Sequence, residues 1–473
     1  MKEAKYLAKN IGLLTLSQFG TKLLSFFLVP LYTNVLSTEE YGTYDFFNTT
    51  VLLLIPLLTL NICDATLRFS LDKESDSRDV FSISIKFFVI SVLAIVFLSF
   101  INKLMNLFPI FNQYLYCFIL MYFSSAITGI LNNYARGIDK VRTVAVSGVL
   151  GSATMLVLNV LFLLPLHMGL KGYFAANIIG LLVQFLYITF SIKAWKLFKW
   201  VGMKNKMLTS NMLSFSVPLI INNISWWVNN ASNRYVIIWL CGMSANGIFS
   251  VSYKIPSILM IFQGIFSQAW TLSAVKDFDP EDKNGFFSKM YNSYNVCMTI
   301  ICSLIIIFSK YIARLLYAQE FYTAWKYSPL LLIAVVFGAL SGYIGGIYSA
   351  VKDSKAFAKS TLYSAIINII LNIVLVKTIG IMGAAMALVV AYAFVWAFRV
   401  ITVKKYIRLE LNLGRDVLCY FVLLLQTILL LSVETNVVYL YESILFFILV
   451  LLFKNSLCEI KDKLFSFAKK KRE

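Results

Sequence analysis

Charge is what this chain has least of. Asp, Glu, Lys and Arg make up 14% of its 473 residues, where soluble domains carry about 25%, so water is excluded as its main solvent and a sizeable soluble domain is excluded with it. Acids are the scarcer sign, 23 against 42 bases, and no carboxylate pair stands at catalytic spacing. A single histidine, His167 in a short loop, excludes a histidine metal cluster. The seven cysteines lie in or beside apolar segments with no CxxC pair, which leaves them as apolar fillers rather than metal ligands or disulfides. Walker A, HExxH and GxSxG motifs are missing too. Neither ATP hydrolysis nor another enzymatic activity is expected, and no cofactor beyond coupling to an ion gradient or the membrane potential.

What is present is apolar length. Hydrophobic residues make up 59% of the chain, and a helix needs about 20 of them in sequence to cross a bilayer. Apolar stretches fall near 11–36, 42–67, 81–102, 110–134, 143–166, 172–192, 212–240, 246–274, 287–308, 325–350, 357–376, 381–403, 416–432 and 436–453. The fold class expected is all-α, a polytopic membrane protein of about 14 transmembrane helices. The opening MKEAKYLAKN and the run Ile11–Leu36 superficially resemble a secretory signal. The run is too long for one and carries Lys22 in its middle, so it reads as a retained first span.

The net charge of +19 could suggest nucleic acid, but the bases alternate between loops. With a cytoplasmic N-terminus, 33 of the 42 fall in inner segments and 6 in outer loops. By the positive-inside rule both termini are therefore cytoplasmic.

The chain also repeats itself. LYTNVLSTEEYGTYDF (31–46) aligns without gaps on VIIWLCGMSANGIFSV (236–251), and LNVLFLLPLHMGLKGYFAA (158–176) aligns on LNIVLVKTIGIMGAAMA (371–387) with a two-residue gap, pairing Gly169 with Gly380 and Gly172 with Gly383. Six spans per repeat is an even number, so two six-helix lobes enter the membrane alike, related by a pseudo-two-fold axis along its normal. The expected organisation is an N-lobe over 1–192, a cytoplasmic linker over 193–210, a C-lobe over 211–405, two accessory helices over 406–454 and a basic tail over 455–473. The linker's interleaved Lys and Trp suit either an amphipathic segment on the inner membrane surface or an ordinary positive loop.

A basic side chain at mid-membrane costs about 2.5–3.5 kcal/mol on insertion scales, so each one needs a reason. Lys22 shares a polar stripe with Thr15, Gln18 and Ser25, which faces either a cleft or a hydrogen-bonded seam. In the seventh span Asn223, Trp227, Asn230 and Arg234 fall on one arc at 4-3-4 spacing. Amides exchange hydrogen bonds with hydroxyls and indoles stack on sugar rings, which makes a glycan-contacting wall one reading. Polar glue between helices is the other. Lys254 adds a third cation. Asp64 and Arg68 share a face of the second span at i, i+4, either as an internal ion pair or as substrate or gating residues. Buried bases outnumber mid-span acids, the sign that suits an anionic cargo such as a pyrophosphate.

The segments FGTKLLSFFLVPLYTNVLSTEEYGTYDF, ARGIDKVR, SVPLIINNISWWVNNASNRYVI, GIFSVSYKIPSILMIFQGIFSQAW and LNIVLVKTIGIMGAAMA resemble the Wzx-type polysaccharide flippases of the multidrug/oligosaccharidyl-lipid/polysaccharide exporter superfamily. That resemblance implies two lobes alternating between inward-open and outward-open states in a bacterial cytoplasmic (inner) membrane. It implies a cargo of undecaprenyl-pyrophosphate-linked oligosaccharide repeat units (O-antigen, capsule or exopolysaccharide) moved to the outer leaflet. The expected partners are membrane lipids, the polyprenyl-linked oligosaccharide, and a polysaccharide polymerase or glycosyltransferases, with no nucleic acid. Cations lining the lumen of such flippases fit Lys22, Arg234 and Lys254. The rival expectations within the same fold are an ion-coupled multidrug exporter and a lipid II flippase.

Overall fold

In a computed structural model of the protein the described residues are 20, 24, 26–72, 75–200, 202–276, 278–351 and 353–458. They form an all-α, polytopic membrane protein. Among the described residues ten helices are long and apolar enough to cross a membrane, or eleven when one bent pair is counted as a single span, and two shorter apolar helices accompany them. Large apolar side chains such as Leu93, Phe97 and Phe100 are exposed along these helices, as expected where the solvent is lipid. The chain divides into two compact units, Met1–Ala231 and Ser232–Glu473.

The first unit contains α1 (Val29–Val35), α2 (Thr38–Leu58), α3 (Ile62–Ser70), α4 (Ser77–Met105), α5 (Pro109–Gln113), α6 (Leu115–Gly137), α7 (Val141–Leu163), α8 (Gly169–Ile192) and the beginning of α9 (Lys206–Ser252). Ser37 starts α2 with a capping box. Its side chain accepts from the Glu40 amide at 3.1 Å, while Glu40 accepts from the Ser37 amide at 2.9 Å, so two orphan donors are satisfied reciprocally. Around this cap Tyr32 stacks on Tyr41 with ring centroids 4.6 Å apart, and Tyr44 meets Tyr173 edge-on at 4.5 Å. Those rings fasten α1, α2 and α8 together.

The expected linker belongs to the first unit as well. It forms two short 3₁₀ turns, Ala194–Lys196 and Gly202–Lys204, held on the N-terminus of α4. Lys199 Nζ reaches Asp76 at 2.7 Å, its amide donates to Ser82 Oγ at 2.8 Å, and Asn205 donates to Asp79 at 3.2 Å. The Lys199 ammonium, bonded to Asp76, holds that carboxyl below its ordinary range. Stability from a depressed carboxyl is present above its ordinary value and lost as pH falls through the depressed one. The clamp is thus expected to hold from neutrality down to about pH 4 and to open below it. Amide exchange over residues 194–204 checks this: Lys199→Gln should speed exchange at pH 7, and equal rates in variant and wild type would remove the ion pair as the cause.

The second unit continues from Ser232 through the rest of α9, then α10 (Lys254–Lys276), α11 (Phe286–Leu316), a 3₁₀ segment (Gln319–Lys326), α12 (Ser328–Ala350), α13 (Ser354–Ile379), α14 (Ile381–Val403), α15 (Leu413–Ser432) and α16 (Val438–Leu452). The central window of α12 is 83% buried. An all-round apolar helix belongs at a core, and α12 has α10, α11, α14 and α15 against it.

One expected span is not a single rod: α2 and α3 meet at 61°. The break expected between 240 and 246 is present as a kink inside α9, where non-helical Gly242 (φ 88°, ψ 176°) separates two helices, a backbone angle open chiefly to glycine.

Some positions that the alignments pair share a structural feature. Ser37 and Gly242, which the first alignment pairs, both break a helix. Gly169 and Gly380, which the second pairs, are both left-handed (φ 54° and 61°), and each leads into a helix. Asn159 and Asn372 are both fully buried. A methyl group at Gly172 would meet Met168 Cβ of the preceding turn at 2.7 Å and Phe162 Cβ of α7 at 3.0 Å, and one at Gly383 would meet the Leu375 carbonyl of α13 at 2.3 Å.

Candidate functional site

The polar centre of the first unit is the break between α2 and α3. Pro56 lies within α2 with no amide hydrogen to give, the Asn61 amide reaches back to the Pro56 carbonyl at 2.8 Å, and Leu60 and Asn61 take positive φ of 53° and 54°. Non-glycine residues in that region are uncommon, asparagine being the best tolerated. Irregular backbone at membrane depth has to be satisfied by protein or face a cavity.

Here the sequence's polar residues do the satisfying. Asn61, 4% exposed, donates to Asp64 Oδ2 at 2.8 Å and accepts from Asn223 Nδ2 at 2.9 Å. Trp227, one turn along α9, donates its indole N–H to the Thr49 carbonyl at 3.0 Å, and Asn133 of α6 donates to the Cys63 carbonyl at 3.0 Å. Two predicted residues, Asn223 and Asp64, therefore meet the break in the second span, and Trp227 fastens α9 to α2 at Thr49, ahead of it. Asn223 and Trp227 act as ties between helices. Arg68 lies on the exposed face of α3, and among the described residues no ion pair joins it to Asp64. The carboxylate turns to Asn61 instead, at i−3, inside the bend.

Nearer the start of α2 lies a cavity of about 150 Å³ between α2, α6, α7 and α8. Its lining includes Tyr44, Asn48, Ser152, Asn177 and Gln184 and carries no charged side chain. Close contact between Gly151 and Gly180 brings α7 onto α8 at its edge, where a methyl on Gly151 would stand 2.7 Å from the Gly180 carbonyl.

The second unit holds two of the predicted cations. The Arg234 guanidinium lies 5.5 Å from the centre of the Tyr253 ring, within cation–π range. Lys254 follows Tyr253 as the first residue of α10, and both cations are half-buried. Lys22 and Gln18 lie outside the described residues, and so does the side chain of Asn230.

Sequence reasoning missed several polar groups. Asn233, fully buried next to Arg234, accepts from Asn368 Nδ2 at 2.9 Å and also from Asn372 Nδ2. Both donors sit at i, i+4 on α13, a spacing visible in IINIILNIV that went unread at Asn368. Arg399 belongs by charge pattern to an inner loop. It is instead 4% exposed within α14, donating to Ser360, to the Ser341 carbonyl at 2.8 Å and to Thr361, over the ring of Phe357 at 4.2 Å. Two acids are fully buried as well, so the bases are not alone in the interior. Asp416 pairs with Arg415 at 2.8 Å, and Glu442 lies in α16. Among the described residues no group of three His, Cys, Asp or Glu could hold a metal ion.

A family model described as polysaccharide biosynthesis protein matches residues 7–275, more than half of the chain. The chain belongs to this family. No curated protein matches it in sequence. Among solved structures, the chain is similar to the lipid II flippase MurJ in an inward closed conformation. Identity is 15%, the TM-score is 0.70, and the match covers 96% of this chain and 99% of that one. It is also similar to an inward-facing multidrug resistance MATE family transporter of the MOP superfamily, at 15% identity and a TM-score of 0.61, covering 83% of this chain and 95% of that one. An outward-facing structure of a MATE family transporter matches at 16% identity and a TM-score of 0.55, covering 84% and 96%. At such identities what is shared is the fold.

Proposed function

We propose that the protein is a flippase, not an enzyme, and that it moves a polyprenyl-pyrophosphate-linked saccharide from the cytoplasmic to the outer leaflet of a bacterial cytoplasmic membrane by alternating access. The single observation that carries this is the Arg234–Tyr253–Lys254 group, two half-buried cations on adjoining apolar helices, in a member of a polysaccharide biosynthesis family. Cations so placed form charge-assisted bonds to phosphate oxygens. The uncharged, amide-lined cavity of the first unit suits the hydroxyls of a sugar, and the prenyl tail stays in lipid. The fourteen-span reading is supported by the eleven spans, the two shorter apolar helices and the first apolar stretch. Twin glycine turns in the two units support a duplicated, two-lobe core followed by two accessory helices, and the distribution of Lys and Arg between loops supports cytoplasmic termini.

Two cargoes of this class compete. Family membership favours an oligosaccharide repeat unit. The likeness to MurJ, over nearly the full length of both chains and at a higher TM-score than the MATE structures quoted, supports lipid II more directly. A multidrug cargo is the third reading, and the MATE likeness favours it. Arg234→Gln and Lys254→Gln, each expressed at wild-type level, are expected to reduce export of the lipid-linked saccharide at least about tenfold, the cost of one lost charge-assisted bond of about 1.4 kcal/mol or more. Surface glycan and externally accessible lipid II, measured together in a depletion strain, separate the first two cargoes. Normal amounts of both in each variant would overturn the cationic site.

A further inference from the structure

The last two helices hold a titratable group for which the cargo path has no use. Glu442 lies in the second turn of α16, which packs on α11 and α15. It is fully buried, and neither carboxyl oxygen has a hydrogen-bond partner among the described residues. An ionised carboxylate left unpaired in such a place is among the most expensive arrangements a fold can contain. A neutral carboxyl is tolerated, and an intramembrane acid is by default functional.

The neighbours decide what the site binds. Gln426 of α15, also fully buried, turns its acceptor away, its Oε1 taking the Ser303 hydroxyl at 2.8 Å. Its Nε2–H points to Glu442, reaching the main-chain carbonyl at 3.4 Å. A metal ion needs several oxygen ligands converging on it. This site offers one carboxyl and an N–H donor, a set suited to a proton. On α11 the nearest charge is Lys310, whose Nζ stands 4.7 Å from the centre of the Trp325 ring in the 3₁₀ segment leading to α12 and whose field reaches Glu442. Glu434, in the turn before α16, acts on the same lysine. Arg314, one turn further along α11, faces Tyr439 of α16, whose ring meets Tyr311 at 5.1 Å.

We propose that Glu442 is a proton-binding site, protonated in this structure while Lys310 rests on Trp325, and deprotonated in an alternate state in which Lys310 leaves the indole for the carboxylate. Proton and carboxylate combine to a neutral carboxyl, and Lys310 keeps its charge throughout. Trp325 lies in the 3₁₀ segment three residues before α12, the most buried long apolar helix of the second unit, so leaving the indole for the carboxylate moves Lys310 from a contact at that junction to one on α16. That this proton drives the transport cycle rests on the flippase reading. The binding site itself does not.

The test uses the full chain purified into lipid nanodiscs without cargo. Fluorescence attributable to Trp325, taken as wild type minus Trp325→Phe, is followed from pH 5 to 9. Wild type should show a single titration, Glu442→Gln should abolish it, and Glu442→Asp should keep it with a displaced midpoint. Lys310→Met should flatten the signal, because the reporting cation is gone. An identical titration in wild type and Glu442→Gln overturns the proposal. So does a signal that follows sodium concentration at constant pH. Since no cargo is present, failure here leaves the saccharide reading standing, and loss of export in the Arg234 and Lys254 variants with an intact titration separates the two in the other direction.

Discussion

Gly383→Ala is expected to destabilise the second unit by about 3 kcal/mol, the upper part of the range for overpacking. The added methyl would lie 2.3 Å from both the carbon and the oxygen of the Leu375 carbonyl and 2.7 Å from the Val376 nitrogen. All three atoms are main chain in the last turns of α13, so no flexible side-chain end can swing aside. Relief requires prising α14 off the end of α13. The twin substitution Gly172→Ala meets side-chain atoms first, Met168 Cβ at 2.7 Å and Phe162 Cβ at 3.0 Å, and should cost about 1–2 kcal/mol. Heat-induced unfolding of the two variants in the same detergent measures the difference. A Gly383→Ala protein as stable as wild type would mean that the turn between α13 and α14 is far looser than its geometry implies.

Asn233→Leu carries the second large expectation. It removes the acceptor shared by Asn368 and Asn372 and strands two amide donors in an apolar interior. Each stranded donor costs about 1–3 kcal/mol in proteins generally, and membrane hydrogen bonds average nearer 0.6, which sets the expected loss at about 2 kcal/mol. The asymmetry is the diagnostic part. Replacing all three asparagines by leucine removes donors and acceptor together and should recover most of that loss. Denaturant unfolding of the single and triple variants provides the comparison, and a triple variant weaker than Asn233→Leu would show that the amides do more than satisfy one another.

The helices and their membrane character were legible because a span needs a long apolar run, and such a run is hard to hide. The repeat was legible at glycines because backbone demands at Gly169, Gly380, Gly172 and Gly383 restrict the residue directly. The break at Asn61 was not. Pro56 is tolerated inside membrane helices without ending them, and nothing local marks Leu60 for a positive φ. Arg399 lies near a basic segment, so charge counting assigned it to the loop, whereas neutral partners and the Phe357 ring draw it inside. Asn223, Trp227 and Asp64 were legible as special but not in what they do. Their spacing places them on one face, and only the neighbouring break tells that the face fastens helices. Glu442 escaped because a lone acid in an apolar run, unlike a base, had no counterpart in the pattern being sought.

The matched left-handed glycines have a consequence for how such chains can be compared. Side chains in the two units have drifted until few positions agree, yet each half keeps a glycine where the chain must turn against its own handedness and another where two helices touch. These positions work as registration marks. A divergent relative can be split into halves and superposed on itself from its turning and touching glycines before any lipid-facing residue is considered, and a two-residue gap ahead of the turn then sets Asn159 opposite Asn372.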